Sequence, residues 1–230
     1  MRRLVIPALV MALLGVMPSQ AQAKTGKTVS IDIYAIPSAP IVETVARVSK
    51  DLAARGMTSF YAQGHAVHAT LYLTQYRTSA QPALIAAIAR LAKGREPFPL
   101  TLHGTERTAS NWLFLGVERS TQLQRLADLV TLAAEPFRDH AIAPPGWMRD
   151  YPAKLPAFER YGSPNVFMQF EPHLTLLANE SNPALSAFTD ETGKTLPDTR
   201  GAVTGVGIAI VDGNGQIVKT LAEFRFTKHR

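Results

Sequence analysis

Two histidine–threonine pairs are the residues of this sequence best suited to chemistry. They stand in His68-Ala69-Thr70-Leu71 and in His173-Leu174-Thr175-Leu176, which repeat one alternation of polar and apolar residues. In a β-strand, residues i and i+2 project to the same face, so each segment would present an imidazole and a hydroxyl together. A neutral histidine can take a proton from a nucleophile while a second, protonated histidine gives one to the leaving oxygen. Threonine hydroxyls can donate hydrogen bonds to phosphate oxygens, where charge accumulates in the transition state. The two segments therefore predict phosphoester chemistry that needs no metal.

Four further residues are weaker candidates for the same site. Alternation along a strand would place Tyr72 on the face of His68 and Thr70, where it could flank a base or a sugar, or pack at the rim. Arg149 and Tyr151 stand in a long proline-rich stretch, where they could clamp a phosphate and stack on a base, or remain solvated. His65 precedes His68 by three residues, which predicts the opposite strand face and a structural role.

The elements that must position these residues alternate between strands and helices. Runs rich in β-branched residues and hydrophobic repeats at helical spacing give the boundaries, and Gly, Pro and a capping Ser mark the ends. The predicted strands cover 28–36, 67–74, 98–104, 112–117, 172–178, 202–211 and 216–226, and the predicted helices cover 40–55, 80–93, 120–134 and 183–188. This alternation predicts an α/β or α+β fold.

A weak internal repeat underlies this order. Each half of the chain has a strand, a helix and then a strand that carries His-x-Thr. A duplicated unit with pseudo-two-fold symmetry would bring the strands of His68 and His173 side by side. The second half is longer because 136–172 holds seven of the 16 prolines. Proline-rich sequence of this kind predicts a long irregular loop with a short helix, of the sort that acts as a lid or a binding segment.

The N-terminus has the pattern of a secretory signal peptide. Arg2 and Arg3 precede an apolar run over 4–17, and Ala21-Gln22-Ala23 follows. Because the run is shorter than the roughly 20 residues that span a bilayer, it favours a signal peptide. An N-terminal membrane anchor is the alternative interpretation. We expect cleavage after Ala23 and export of a mature domain, residues 24–230, to the periplasm or the medium.

Composition narrows the class of protein. Hydrophobic residues make up 46% and charged residues 18%, which is typical of a globular chain and excludes a disordered one. There is no cysteine, which excludes disulfides, thiolate metal sites and a cysteine nucleophile. The formal net charge of +6 is compatible with an anionic substrate but identifies none.

The pair of His-x-Thr segments resembles the two-histidine (2H) phosphoesterases, which include the bacterial 2′–5′ RNA ligase-like proteins. The resemblance implies an α+β fold of two pseudo-symmetric lobes in one domain, with two antiparallel sheets flanked by helices around a central groove. It implies a metal-independent phosphodiesterase that acts on 2′,3′-cyclic phosphates or 2′–5′ linked nucleotides, with no cofactor. It makes His68 and His173 the acid–base pair, and Thr70 and Thr175 the groups that hold the phosphate. We expect a monomer whose partner is a small nucleotide or another phosphodiester, RNA ends included.

Two alternatives remain open from the sequence. The groove could bind a nucleotide or another phosphorylated ligand in the periplasm without turnover. His65, His68 and His173 could instead hold a zinc ion with a bound hydroxide, although no Asp or Glu stands beside the motifs to support the imidazoles.

Overall fold

Strands and helices alternate along the chain in the computed structural model, which describes residues 26–195 and 199–227. The strands are β1 Thr28–Pro37, β2 Ala69–Arg77, β3 Phe98–Arg107, β4 Leu113–Val117, β5 His173–Leu177, β6 Thr199–Val211 and β7 Ile217–Arg225. The α-helices are α1 Ala39–Ala53, α2 Gln81–Ala92, α3 Thr121–Ala134, α4 Leu155–Tyr161 and α5 Ala184–Thr195. The predicted leader, 1–23, lies outside the described residues. None of the helices in the described ranges is both long enough and apolar enough to cross a bilayer.

Local sequence explains where the helices form. In α1, the apolar residues Ile41, Val45, Val48 and Leu52 recur at helical spacing, and all four are buried. The start of α3 is fixed by Ser120, whose side chain accepts a hydrogen bond from the Leu123 amide at 3.2 Å. Both helices therefore begin and pack as their sequence patterns predict.

One antiparallel sheet joins the two halves of the chain. Its strand order is β2-β1-β6-β3-β4-β5, with β7 also paired to β6. The long strand β6 makes this connection: its residues 203–210 pair with β1, 199–203 pair with β3, and 205–211 pair with β7. The predicted α+β fold with antiparallel strands is confirmed, and where two sheets were expected β6 links their strands into one.

One large apolar core, shared by both halves of the chain, underlies this sheet. It includes Ile33 of β1, Leu115 of β4, Leu174 of β5 and Ile208 of β6, so both halves of the chain contribute to one buried cluster. Helix α1 packs on β6, α3 packs on β2, and α5 packs on β3. Because the core is shared, the halves hold one another in place.

The proline-rich segment consists of short helical turns and closes the outer edge of β2. It contains 3₁₀ turns and α4, as the density of prolines favours. The Asp139 amide donates to the Gln75 carbonyl at 2.8 Å, and the Thr74 hydroxyl donates to the Gly162 carbonyl at 2.8 Å. The first bond satisfies a backbone carbonyl of this edge strand, and the second attaches the segment to a side chain of the strand.

Candidate active site

The two motif histidines are held in the same way. His68 lies directly before β2, and its Nδ1 is 2.9 Å from the Ala66 carbonyl oxygen. His173 is the first residue of β5, and its Nδ1 is 2.8 Å from the Glu171 carbonyl oxygen. A carbonyl only accepts, so this network assigns the proton to Nδ1 of each ring. Each Nε2 is then the nitrogen that can accept or donate a proton in a reaction.

The strands that carry the two motifs come together although they end the sheet on opposite sides. β2 and β5 approach each other, and the Phe60 amide donates to the Leu176 carbonyl at 2.9 Å, which joins the loop before β2 to β5. His68 and Thr175 line the same pocket. This pocket is a small cleft, partly open to solvent. Each motif contributes one polar residue to its lining, whereas His173 and Thr70 are not among the residues that line it.

A buried carboxylate lies beside the first motif. Asp32 of β1 is fully buried, and its Oδ2 accepts a hydrogen bond from the Thr70 hydroxyl at 2.8 Å. The same Oδ2 is 3.5 Å from Nε2 of His68. The Tyr34 ring meets the His68 ring edge-on, with 5.6 Å between ring centroids. Tyr34 can lie there because β6 offers Gly207, where a Cβ atom would come within 2.1 Å of the tyrosine ring.

Burial dominates the acidity of Asp32. Loss of solvent raises the pKa of Asp32 to about 6, although the positive charge of His68 and the hydrogen bond from Thr70 both act to lower it. Its other oxygen, Oδ1, is buried and has no hydrogen-bond partner among the described residues. A carboxylate with so few partners is expensive to keep ionised in this position.

The second motif has an aromatic environment. The His173 ring lies against Phe114 of β4, with 4.2 Å between centroids and a tilt of 33°. Gly116 of β4 is paired with His173, and the His103 ring lies over that glycine. Nδ1 of His103 is 4.0 Å from Glu106 Oε1.

The neutral form of His173 is favoured by this environment. Desolvation is the largest influence and lowers the pKa of His173. The Glu171 carbonyl and the charges of Glu106 and Glu171 act in the opposite direction, and Lys154 adds to the lowering. His173 is therefore suited to accept a proton near neutral pH.

The two motif threonines differ in what they bind. The Thr70 hydroxyl donates its proton to Asp32, as described above. Thr175 pairs with Phe114 and shares the face of His173. Within residues 26–195 and 199–227, no protein group forms a hydrogen bond with the Thr175 hydroxyl. The hydroxyl of Thr175 is free for a ligand, whereas that of Thr70 is already engaged.

The expectation that Tyr72 shares a face with His68 and Thr70 is wrong. The β1–β2 register slips by one residue: Ile33 pairs with Tyr72, but Tyr34 pairs with Thr70. This bulge turns Tyr72 to the core side of the sheet, where it is fully buried and donates its hydroxyl to a backbone carbonyl. A ligand in the pocket does not reach it.

Arg149 and Tyr151 do not lie at the predicted site. Arg149 and Tyr151 are exposed, and neither is among the residues that line the pocket of His68 and Thr175. Arg149 donates to the Gly146 carbonyl, and Tyr151 packs edge-on against Trp147. These contacts within one turn give both side chains a local role and do not bring them to the motif pair.

His65 does line the pocket, together with Tyr61 and Gln216. Its ring packs edge-on against Phe60, with 5.7 Å between centroids, and its Nδ1 is 3.4 Å from the Ile217 carbonyl. His65 thus has the structural contacts that were predicted, but the predicted opposite strand face is wrong: β2 begins only at Ala69, so alternation does not apply, and His65 lines the same pocket as His68. In the described parts of the chain, no three His, Asp or Glu side chains are arranged to hold a metal ion, so the zinc alternative gains no ligand set there.

The only signal for Asp32 in the sequence is that a charged residue stands within a mostly apolar strand. It stands between Ile31 and Ile33 in a strand whose other residues are nearly all apolar, and its neighbours are fully buried. A charged residue in such a strand is rare unless it has a partner. That partner, Thr70, is distant in sequence, so no short motif reveals the pair.

The antiparallel α+β fold, with His68 and Thr175 from the two His-x-Thr segments at one pocket, is consistent with a 2H phosphoesterase architecture. The model of the 2′-5′ RNA ligase superfamily matches residues 37–215, and the chain belongs to this family. A comparison with curated proteins gives no significant match.

Solved structures share this fold at low sequence identity. The structure of TT0787 from Thermus thermophilus is similar with a TM-score of 0.57 and 18% identity, over 86% of this chain and 97% of that one. LigT from E. coli in complex with 3′-AMP gives a TM-score of 0.54 and 16% identity, over 88% of this chain and 100% of that one. The phosphate complex of LigT gives 0.53 with the same identity and coverage. At these identities the likeness shows the fold.

Proposed function

We propose that the protein is a metal-independent phosphodiesterase that cleaves 2′,3′-cyclic phosphates or 2′–5′ linked nucleotides by acid–base catalysis from His68 and His173. The observation that carries this proposal is the matched anchoring of the two rings. Each Nδ1 donates to the carbonyl two residues earlier, so each Nε2 is left for proton transfer. Two imidazoles of this kind can supply the two proton transfers that hydrolysis of a phosphodiester requires.

The environments of the two histidines support a division of roles. Desolvation lowers the pKa of His173, so its neutral ring is the better base. His173 would take a proton from water as the water oxygen bonds to phosphorus. The bond from phosphorus to the leaving oxygen then breaks, and protonated His68 gives its Nε2 proton to that oxygen. Products are a phosphomonoester and a free hydroxyl, and the two histidines exchange protonation states.

The free hydroxyl of Thr175 supports binding of the phosphate beside these rings. It shares the strand face of His173 and lines the pocket of His68. E. coli LigT, which has the same fold, has been solved in complex with phosphate and with 3′-AMP. These complexes support a phosphate or a nucleotide as the ligand class here. A hydroxyl donor in this place would stabilise charge on a phosphate oxygen.

The test is an assay of the mature protein on a panel of 2′,3′-cyclic nucleotides and 2′–5′ dinucleotides, with EDTA present. We expect turnover with chelator and loss of at least about 10³-fold in kcat for His68→Ala or His173→Ala, because a proton transfer is removed. His140→Ala is the matched control, since His140 is an exposed histidine in the proline-rich segment. Binding of the substrates without turnover would replace the proposal with a non-catalytic phosphate binder.

A substrate with a good leaving group distinguishes the two roles. A p-nitrophenyl phosphodiester releases a weakly basic phenolate that needs no proton. Its hydrolysis should largely survive His68→Ala and should still be lost in His173→Ala. The reverse pattern would exchange the assigned acid and base.

The site of action is a separate proposal. We infer from the basic start, the apolar run and Ala21-Gln22-Ala23 that the protein is exported and cleaved after Ala23. Mass spectrometry of the protein from a periplasmic extract should give a mature chain that begins at Lys24. A chain that retains Met1 in the cytoplasm would contradict the inference.

A further inference from the structure

The hydroxyl proton of Thr70 has two acceptors that compete for it. Thr70 and His68 both contact Oδ2 of Asp32, and His68 lines the pocket, so a phosphate bound at His68 would lie close to the Thr70 hydroxyl. In the structure, this hydroxyl donates to Asp32 Oδ2 at 2.8 Å. A threonine hydroxyl has one proton and can donate one hydrogen bond. While Asp32 is ionised, it can only accept, so Thr70 cannot serve both groups.

Protonation of Asp32 would resolve this competition. A protonated carboxyl can donate to the Thr70 oxygen, and the Thr70 hydroxyl is then free to turn its own proton towards a ligand. The same proton also removes a buried negative charge from beside an anion site. Asp32 Oδ1 has no partner among the described residues, so the ionised form is poorly stabilised by its surroundings.

We propose that Asp32 is a positioning residue that acts through Thr70: binding of a phosphate in the groove requires Asp32 to take up one proton. This inference rests on the proposed function, because it assigns a phosphate group to the pocket. The proton comes from solvent, and it bonds to a carboxylate oxygen of Asp32 as the Thr70 hydroxyl turns from Asp32 to the phosphate.

Few charged groups face Asp32. Nε2 of His68 is 3.5 Å from its Oδ2, and the hydroxyls of Tyr34 and Tyr76 interact with its charge. Glu223 of β7 reaches this region only through the Tyr34 hydroxyl, which donates to it at 3.3 Å. Burial raises the pKa of Tyr34 to about 12 and raises the pKa of Tyr76 as well, so both phenols stay neutral under assay conditions.

The expected magnitude follows from the fraction of Asp32 that is protonated. With a pKa of about 6, roughly 3% of Asp32 is protonated at pH 7.5 and about three quarters at pH 5.5. An apparent dissociation constant is the intrinsic constant divided by the competent fraction. Asp32 would thus weaken phosphate binding about 30-fold at pH 7.5 and less than twofold at pH 5.5.

The experiment measures binding of sulfate to the full protein by NMR titration at pH 5.5 and 7.5, because sulfate keeps its charge over this range. Asp32→Asn can donate to Thr70 as a protonated Asp32 would. We expect the variant to bind sulfate more tightly than wild type, by about 10- to 30-fold at pH 7.5 and by less than twofold at pH 5.5. Comparison of variant and wild type at each pH cancels the titration of the histidines that do not contact Asp32. Equal or weaker binding by the variant at pH 7.5 would overturn the proposal.

A second variant tests the route through the hydroxyl. In a protein that already carries Thr70→Val, Asp32→Asn should raise the affinity for sulfate only a few-fold, because it then removes only the charge repulsion between Asp32 and the anion. An undiminished gain would show that Asp32 does not act through Thr70. If wild type binds sulfate at neither pH, the proposed function itself fails; if it binds without the variant difference, this inference alone fails.

A measurement on wild type covers the case in which Asp32→Asn does not fold. The carboxyl carbon of Asp32, labelled with ¹³C, reports its protonation directly by chemical shift. Saturating sulfate should move the midpoint of that titration upward by about one pH unit or more. An unchanged or lower midpoint would contradict proton uptake at Asp32.

Discussion

Asp32→Asn should stabilise the fold at neutral pH, although it removes a charged group next to a candidate catalytic histidine. Asp32 is fully buried in β1, and burial raises its pKa from an ordinary 3.8 to about 6. A carboxyl with a raised pKa in the folded state binds its proton more tightly there than in the unfolded chain. Its contribution to stability is complete below pH 3.8 and is lost as the pH rises through about 6. The amide has no charge and escapes this loss.

The size of the effect comes from the same two values. The difference between 3.8 and about 6 corresponds to about 3 kcal/mol of unfolding free energy at pH 7.5. At pH 4 the corresponding loss is only about 0.5 kcal/mol, because Asp32 is still protonated in the fold. The advantage of Asp32→Asn over wild type should therefore grow by about 2 to 3 kcal/mol between pH 4 and pH 7.5.

Urea unfolding at pH 4, 5, 6 and 7.5, followed by circular dichroism, measures this difference directly. Asp51→Asn is the matched control, because Asp51 is an exposed residue of α1 and its replacement gives the generic effect of losing a carboxylate. A pH-independent difference between variant and wild type would refute the reasoning. So would a wild type that gains stability relative to the variant as the pH rises.

Three further outcomes follow from the described contacts. Tyr72→Phe should lower the unfolding free energy by about 1 kcal/mol and leave kcat unchanged, because it removes a buried hydrogen bond to the Tyr161 carbonyl, away from the pocket. Urea unfolding curves and initial rates check this, and a large fall in kcat would contradict it. Gly207→Ala should cost about 1 to 3 kcal/mol, since its Cβ would meet the Tyr34 ring at 2.1 Å; a thermal melt unchanged from wild type would argue against that contact. The acid limb of kcat/KM against pH should have its midpoint below 6.5, because desolvation lowers the pKa of His173 in the free enzyme and the neutral ring is the base. A midpoint above 6.5 would count against this role.

The order of elements could be predicted from the sequence because it depends on local patterns. Helical spacing of apolar residues gave α1 and α3 with boundaries within two residues of those observed. The helix predicted over 183–188 continues to Thr195. The sequence did not indicate this extension, because residues 189–195 include no large apolar side chain that would continue the periodic pattern. The observed strand boundaries also differ from the predicted ones, because pairing with a neighbouring strand decides where a strand ends.

The candidate site could be predicted only in part. His68, Thr70, His173 and Thr175 were recognisable because alternation within a strand is a local property. The burial of Tyr72 was not, because a bulge between β1 and β2 reverses the face and leaves no mark in the sequence of β2. Asp32 was missed for a related reason: its contact with the first motif depends on the pairing of two strands and not on the spacing of any residues.

The continuity of β6 has a mechanical consequence for the groove. The two motif strands belong to opposite ends of a sheet whose halves share one hydrogen-bonded backbone, so neither half can swing away without tearing that ladder. Amide exchange along β6 should accordingly be among the slowest in the molecule, and denaturation should proceed in a single step. The spacing between the two motif strands is thus set when the chain folds. Discrimination among ligands then falls to side chains at the mouth of the pocket, such as the partly exposed Tyr61, instead of to a clamping motion.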